Sequence, residues 1–142
     1  MDDSLKREII LENYQNPTNK ERTNDERYIK VNTNNESCID NLDIYLLVED
    51  NIIKDIKFDG EACAISTAST SIMINNLIGK TIDEVEEYVK NFENMVDDKE
   101  YDETKLNEAV VFDEIHKQAN RKHCAVLPYL GIEKALKDIK NG

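Results

Sequence analysis

Two neighbouring segments of the chain alternate apolar and polar residues, which is the period of a β-strand with one buried face. The first, residues 42–48, places four apolar side chains on one face: Leu42, Ile44, Leu46 and Val48. The second, residues 52–58, repeats the pattern with Ile52, Ile56 and Phe58. Because only the polar tripeptide Glu49-Asp50-Asn51 separates them, the pattern predicts an antiparallel hairpin. Residues 27–33 are a weaker candidate for another strand.

Apolar residues at three- and four-residue steps predict helices in the rest of the chain. The first covers residues 3–15, with Leu5 and Ile9 facing inward and Ile10 and Tyr14 as further candidates. A mostly buried helix over 64–78 ends at Gly79, and the capping box Thr81-x-x-Glu84 opens the next.

Two more helices are expected at about 104–119 and 126–140. Pro128 is tolerable in the last one only within its first turn. Strands followed by helices favour an α+β fold, with the helices packed on one face of an antiparallel sheet.

Composition limits the classes of protein that this chain can represent. Its 142 residues fit one domain, 1–142, and its formal net charge of −12 makes nucleic acid and anionic membranes poor partners. Residues 81–118 hold 13 acidic and four basic side chains, which fits either a solvated helical face or a docking surface for a basic partner. Neither a targeting segment nor an apolar stretch of membrane-spanning length is visible, so we expect a cytoplasmic protein.

The chain has three cysteines, Cys38, Cys63 and Cys124, and an odd number at such wide separations does not form a complete disulfide framework. Each is predicted to lie where an element begins or ends, Cys63 and Cys124 at helix starts that favour the thiolate. Asp40 follows Cys38 by two residues, and three thiolates with one carboxylate would complete a tetrahedral zinc site. His123 is an alternative fourth ligand or proton carrier.

Spacing alone leaves a second interpretation open, because an isolated cysteine is more often a small buried apolar residue than a ligand. A purely structural zinc module is a further alternative. The local sequences around the cysteines bear on this choice.

Residues 57–69, KFDGEACAISTAS, resemble the F-x-G-x-x-C-x-I-S-x-A-S signature of the NifU/IscU/SufU family of iron–sulfur assembly proteins. Residues 34–40, NNESCID, look like the family's N-P-x-C-G-D segment, and residues 121–127, RKHCAVL, look like its third-cysteine segment. Asn16-Pro17-x-Asn19 also agrees, so the resemblance covers nearly the whole chain. A helical insert at about 81–119 is typical of the SufU branch.

The resemblance implies a three-stranded antiparallel sheet backed by helices and a role in iron–sulfur cluster biogenesis. It also implies a PLP-dependent cysteine desulfurase as partner, with downstream iron–sulfur assembly proteins. In SufU-like members the matching residues bind zinc and the first cysteine accepts sulfur as a persulfide, so the chain resembles a zinc-dependent sulfurtransferase. Carried over, the zinc ligands are Cys38, Asp40, Cys63 and Cys124, with Cys38 as sulfur acceptor and Arg121 near the metal. The alternative is a scaffold on which a [2Fe–2S] cluster is assembled on the same thiolates and then transferred.

Two residues depart from the family pattern. Ile39 replaces the glycine of Cys-Gly-Asp, which removes a residue that freely adopts positive φ. His123 stands where SufU-like proteins often carry lysine and IscU-like proteins carry histidine. The sequence therefore leaves open whether Asp40 or His123 is the fourth ligand.

Overall fold

The part of the chain that the structure describes contains one three-stranded antiparallel sheet, four α-helices and three short 3-10 helices. The computed structural model describes residues 1–35 and 39–141. The elements in chain order are α1 (Asp3–Gln15), β1 (Ile29–Asn34), β2 (Asn41–Glu49), β3 (Ile52–Glu61), α2 (Ala64–Leu77), α3 (Ile82–Val96) and α4 (Ala119–Asn141). The strand order is β1-β2-β3, and helices α2 and α4 cover the sheet face that carries Leu42, Ile44 and Leu46. The predicted α+β fold with a three-stranded antiparallel sheet is confirmed.

The predicted hairpin between β2 and β3 is present, and its turn explains the register. Asp50 and Asn51 have φ of 54° and 64°, the left-handed conformation that a two-residue type I′ turn requires at both central positions. A register irregularity between Leu47 and Val48 interrupts the alternation. Val48 is consequently only half-buried, whereas Tyr45 and Leu47, which alternate with the predicted inward residues, are buried.

Helix α2 is buried along almost its whole length and contacts α1, α4 and β3. Its apolar side chains Ile72, Met73, Ile74 and Leu77 belong to the core. Its buried polar residues Ser66, Thr67, Ser69, Thr70 and Ser71 lie in the same environment. Since a buried hydroxyl without a partner is costly, Ser66, Ser69 and Ser71 bind to the elements around α2, and Thr70 binds the Ser66 carbonyl of its own helix.

The predicted inward face of helix α1 is partly wrong. Leu5 and Tyr14 are 44% and 47% exposed, Ile9 and Ile10 are half-buried, and the most buried residue is the polar Asn13. Asn13 Nδ2 donates to the Ile9 carbonyl at 2.9 Å, and Asn13 Oδ1 accepts from Ser71 Oγ at 2.7 Å. A hydrogen bond to α2 therefore decides which side of α1 faces inward.

Helix α3 begins with the predicted capping box. The Glu84 amide donates to Thr81 Oγ1 at 3.2 Å, and the Thr81 amide donates to Glu84 Oε1 at 3.0 Å. On the buried side, the ring of Phe92 stacks on that of Tyr129 with centroids 3.9 Å apart. Helix α3 is thereby fixed against α4.

The predicted helix at about 104–119 is wrong. This segment forms three short 3-10 helices, Glu103–Lys105, Asn107–Phe112 and Ile115–Lys117. Asn107 has a φ of 50°, which an α-helix does not accommodate. Apolar residues of the segment still reach the core, and they are Leu106, Ala109, Val111, Phe112 and Ile115.

Helix α4 begins at Ala119, seven residues before the predicted start, so Pro128 lies inside it and not in its first turn. Proline has no N–H, and the Cys124 carbonyl four residues earlier therefore loses its helical donor. Further along, α4 approaches the sheet closely at Gly131, where an added Cβ would lie 2.7 Å from Ile44 Cδ1 and 3.2 Å from Thr33 Cγ2. Contacts of α4 with other elements compensate for the backbone hydrogen bond that this helix loses at Pro128.

A groove between α3 and α4 holds the carboxyl groups of Glu93 and Glu133. Burial, and then the hydrogen bond and like charge of Glu133, raise the pKa of Glu93 to about 7 from the ordinary 4.5. The folded protein therefore binds this proton more tightly than the unfolded chain does, so this group's stabilisation is lost as pH rises from about 4.5 through 7.

We expect Glu93→Gln to stabilise the protein at pH 8 and to leave its stability unchanged at pH 4. Because the side chain is partly exposed, the gain at pH 8 should be about 1 kcal/mol, or about 3 °C in Tm. Thermal unfolding at both pH values measures it, with the exposed Glu108→Gln as control. An equal effect at pH 4 and pH 8 would show that the pair does not titrate in this range.

Candidate metal centre

Three of the predicted ligands lie close together. They are found at the place where β2 and α2 begin and where α4 runs past them. Asp40 directly precedes β2, and Cys63 lies between β3 and α2. Since Asn41 pairs with Glu61 in the antiparallel sheet, the hairpin brings Asp40 and Cys63 to the same end. Cys124 reaches this end from α4. The site thus combines residues from three distant parts of the chain.

One residue of the site caps the N-terminus of α2. Cys63 is the N-cap residue, and its Sγ accepts a hydrogen bond from the Ser66 amide at 3.4 Å. The Cys63 amide donates to Asp40 Oδ1 at 2.7 Å. These N–H groups and the helix dipole stabilise negative charge on both side chains. The expectation that Cys63 lies at a helix start is confirmed.

The donor atoms are close enough to share one ion. Sγ of Cys63, Sγ of Cys124 and a carboxylate oxygen of Asp40 lie within 4.8 Å of one another. Ligand atoms around a tetrahedral zinc are separated by about 3.3–3.8 Å, and Cys63 Sγ already lies 3.7 Å from Asp40 Oδ2. Asp40 is buried and the two cysteines are half-buried. This donor set fits a thiophilic cation after small side-chain movements.

The surroundings of Cys124 differ from the prediction. Cys124 lies in the second turn of α4, not at a helix start, and its Sγ contacts the Asn120 carbonyl at 3.5 Å. Burial, and then the proximity of Cys63 and Asp40, raise the pKa of its thiol well above the ordinary value. A cation between the three groups reverses this effect, because it favours their ionised forms.

Ser66 was not among the predicted site residues, although it belongs to the signature segment. It is fully buried, and its Oγ lies 2.7 Å from Asp40 Oδ2 and 3.0 Å from the Cys124 carbonyl oxygen. Its place three residues after Cys63, at the position that an N-cap contacts, was the available signal in the sequence. The contacts with Asp40 and Cys124 needed the three-dimensional structure.

An open cleft of about 500 Å³ lies over Cys63 and Cys124. Its other lining residues are Asn35, Ala64, Ile65, Asn120 and Arg121. Arg121 is exposed and borders this cleft, whereas His123 is exposed on α4 and is not part of the group of three donors. Cys38, the predicted sulfur acceptor, lies outside the described residues.

Comparison with known proteins identifies the class. Residues 5–125 match the NifU-like N-terminal domain family. The chain is 35% identical over 141 residues to the zinc-dependent sulfurtransferase SufU of Bacillus subtilis, covering 99% of this chain and 95% of the relative. It is 36% identical over 105 residues to the iron–sulfur cluster assembly scaffold protein IscU of Thermotoga maritima, covering 74% of each. The crystal structure of FiSufU from Fervidobacterium islandicum agrees with a TM-score of 0.86 and 36% identity, covering 91% of this chain and 94% of that one.

The chain therefore belongs to the NifU-like N-terminal domain family. It is a SufU/IscU-type protein of iron–sulfur cluster assembly, which confirms the resemblance found around the three cysteines. Within the ranges 1–35 and 39–141, no helix combines the length and the apolar character that crossing a bilayer requires.

We expect Asp40→Ala to destabilise even the metal-free protein by about 2–3 kcal/mol. The change leaves the Cys63 amide without its acceptor and removes the closer of the two acceptors of the buried Ser66 hydroxyl, which then has only the Cys124 carbonyl. Urea unfolding in the presence of a chelator measures the loss. The control Asp43→Asn, on the partly exposed side of β2, should change little. Equal losses in the two variants would contradict the assigned hydrogen bonds.

Proposed function

We propose that this protein is a zinc-dependent sulfur acceptor that works with a PLP-dependent cysteine desulfurase in the cytoplasm. Cys38, Asp40, Cys63 and Cys124 would hold the zinc ion, and Cys38 would receive the sulfur. The observation that carries the proposal is the cluster of Asp40, Cys63 and Cys124 within 4.8 Å, next to the segment that contains Cys38. The similarity to SufU over 99% of the chain supports it.

Chain connectivity supports Cys38 as the remaining ligand and acceptor. Only Ile39 separates Cys38 from Asp40, so covalent geometry limits the Cα–Cα distance between them to about 7.6 Å. The Asn35 amide donates to the Asp40 carbonyl at 3.1 Å, which joins the two ends of this segment. Ile39 is 70% exposed, on the surface that a partner would approach.

The donor chemistry suits zinc, a borderline-soft ion that accepts both thiolate and carboxylate. When bound, zinc keeps cysteine thiolates deprotonated at neutral pH without changing its oxidation state. Asp40 and Cys63 are already held by amide donors at the start of α2, so these side chains are oriented before any ion binds. His123 is the less favoured fourth ligand, because it is exposed and lies outside the group of donors.

The transfer step needs no external oxidant or reductant. The Cys38 thiolate attacks the terminal sulfur of the desulfurase cysteine persulfide and forms a new S–S bond. The old S–S bond breaks, and the desulfurase cysteine leaves as a thiolate that takes up a proton. Arg121, at the border of the cleft, would stabilise the negative charge on the persulfide of Cys38 before downstream assembly proteins receive the sulfur.

A second candidate function is a scaffold for a [2Fe–2S] cluster. The similarity to IscU over 74% of the chain favours it, and iron–sulfur clusters also prefer thiolate ligands. In this case the cluster is cargo that is assembled on Cys38, Cys63 and Cys124 and then transferred. The two functions predict different metals in the purified protein.

We expect the isolated protein to contain about one zinc per chain and Cys38→Ser to abolish sulfur acceptance. Elemental analysis measures the zinc, and intact-mass analysis after incubation with a cysteine desulfurase and cysteine detects an added sulfur atom. The matched control Cys124→Ser should lose metal affinity but keep Cys38 available. A sulfur atom still added to the Cys38→Ser variant would move the acceptor role to Cys124.

Anaerobic reconstitution with iron and sulfide should leave the zinc-loaded protein unchanged. Zinc and the cluster compete for the same thiolates, so visible absorption together with iron and sulfide analysis decides between them. A stable cluster that displaces zinc and passes to an apo-acceptor would favour the scaffold function.

A further inference from the structure

We propose that Ser66 is a positioning residue of the metal centre, which orients the Asp40 carboxylate and joins it to the backbone of Cys124. This inference rests on the proposed metal-binding function of Asp40, Cys63 and Cys124. It adds a residue that does not bind the ion itself but sets the positions of those that do.

Ser66 contacts all three ligand residues of the described site. Its Oγ lies 2.7 Å from Asp40 Oδ2 and 3.0 Å from the Cys124 carbonyl oxygen. Its amide donates to Cys63 Sγ at 3.4 Å, and its Oγ lies 3.6 Å from the same sulfur. Metal-binding carboxylates are commonly held by such neighbouring hydrogen bonds, which fix their orientation.

Pro128 explains why a hydroxyl from α2 can reach the backbone of α4. Position 128 has no N–H, and the proline ring pushes away the carbonyl four residues earlier, which is that of Cys124. Ser66 lies beside this carbonyl, and Ser69 donates to the next one, Ala125, at 2.6 Å. Two serines one turn apart on α2 therefore bind the irregular part of α4.

The hydroxyl of Ser66 carries one proton and faces two acceptors. The carboxylate is the closer one and, when ionised, the stronger acceptor, so Ser66 shares its proton mainly with Asp40 and more weakly with the Cys124 carbonyl. Asp40 Oδ1 is held by the Cys63 amide at 2.7 Å. Donors on both oxygens limit rotation of the carboxylate and hold Oδ2 at 3.7 Å from Cys63 Sγ.

Ser69 provides a matched control for this role. Like Ser66 it is a fully buried serine of α2 that contacts a carbonyl of α4, but this carbonyl belongs to Ala125, which is not a ligand. Serine to alanine at either position removes the same atom from the same interface. Any difference in metal binding between the two variants therefore reports the contacts of the Ser66 hydroxyl with the ligand residues.

The test measures zinc affinity by competition with a chromophoric chelator, cobalt(II) absorption as a probe of ligand geometry, and urea unfolding of the metal-free forms. Ser66→Ala should weaken zinc binding about 10–100-fold and change the cobalt spectrum. Ser69→Ala should lower stability but leave zinc affinity and the spectrum unchanged. Ser66→Thr, which keeps the hydroxyl, should restore zinc affinity at least in part.

Pro128→Ala separates the two contacts of Ser66. Alanine supplies the missing N–H to the Cys124 carbonyl, so in this background Ser66→Ala should cost less stability while the loss of zinc affinity persists.

Equal zinc affinities of the wild-type, Ser66→Ala and Ser69→Ala proteins would overturn the positioning role. Equal weakening of zinc binding by Ser66→Ala and Ser69→Ala would also overturn the positioning role, because the effect would then come from helix packing. A wild-type protein that binds neither zinc nor cobalt would instead refute the proposed metal site.

Discussion

The hydroxyl groups of α2 impose the constraint on which the rest of the structure depends. This helix is buried on nearly all sides, and a buried hydroxyl without a partner costs about 1–3 kcal/mol. Ser71 binds Asn13 of α1, Ser69 binds the backbone of α4, and Ser66 binds Asp40 in front of β2. The positions of three other elements are thus set by polar contacts with a helix whose apolar residues form the core.

The same arrangement explains how acidic groups can collect in a partly buried place. Asp40 and Cys63 receive amide donors from the first turn of α2, whose dipole favours negative charge. Within residues 1–35 and 39–141, no amide donates to Cys124 Sγ, and burial disfavours its thiolate. The fold therefore stabilises part of the charge and leaves the remainder uncompensated, so the proposed ion and the local structure would stabilise each other.

Local sequence was sufficient to predict the hairpin, the capping box of α3 and the family, because each depends on residues close together in the chain. It failed for α4, because the rule that places proline in the first turn of a helix predicts a start near Pro128. The helix nevertheless continues through Pro128, and Ser66, which is 62 positions away, lies 3.0 Å from the Cys124 carbonyl whose helical donor Pro128 removes. Apolar spacing predicts one helix at about 104–119, but Asn107, whose φ is positive, interrupts it. The roles of Cys38 and of zinc remain predictions.

The close approach at Gly131 has a consequence for the dimensions of the site. Any larger residue there would press on Ile44 Cδ1 and Thr33 Cγ2, so either these side chains or α4 itself would have to shift. Cys124 lies seven residues earlier on the same helix, about 10 Å along its axis, so it would move with it. Zinc–ligand distances tolerate only about 0.2 Å of error. A glycine two turns away from Cys124 therefore helps to fix the distance between α4 and the sheet, and with it the position of one of the three donor groups.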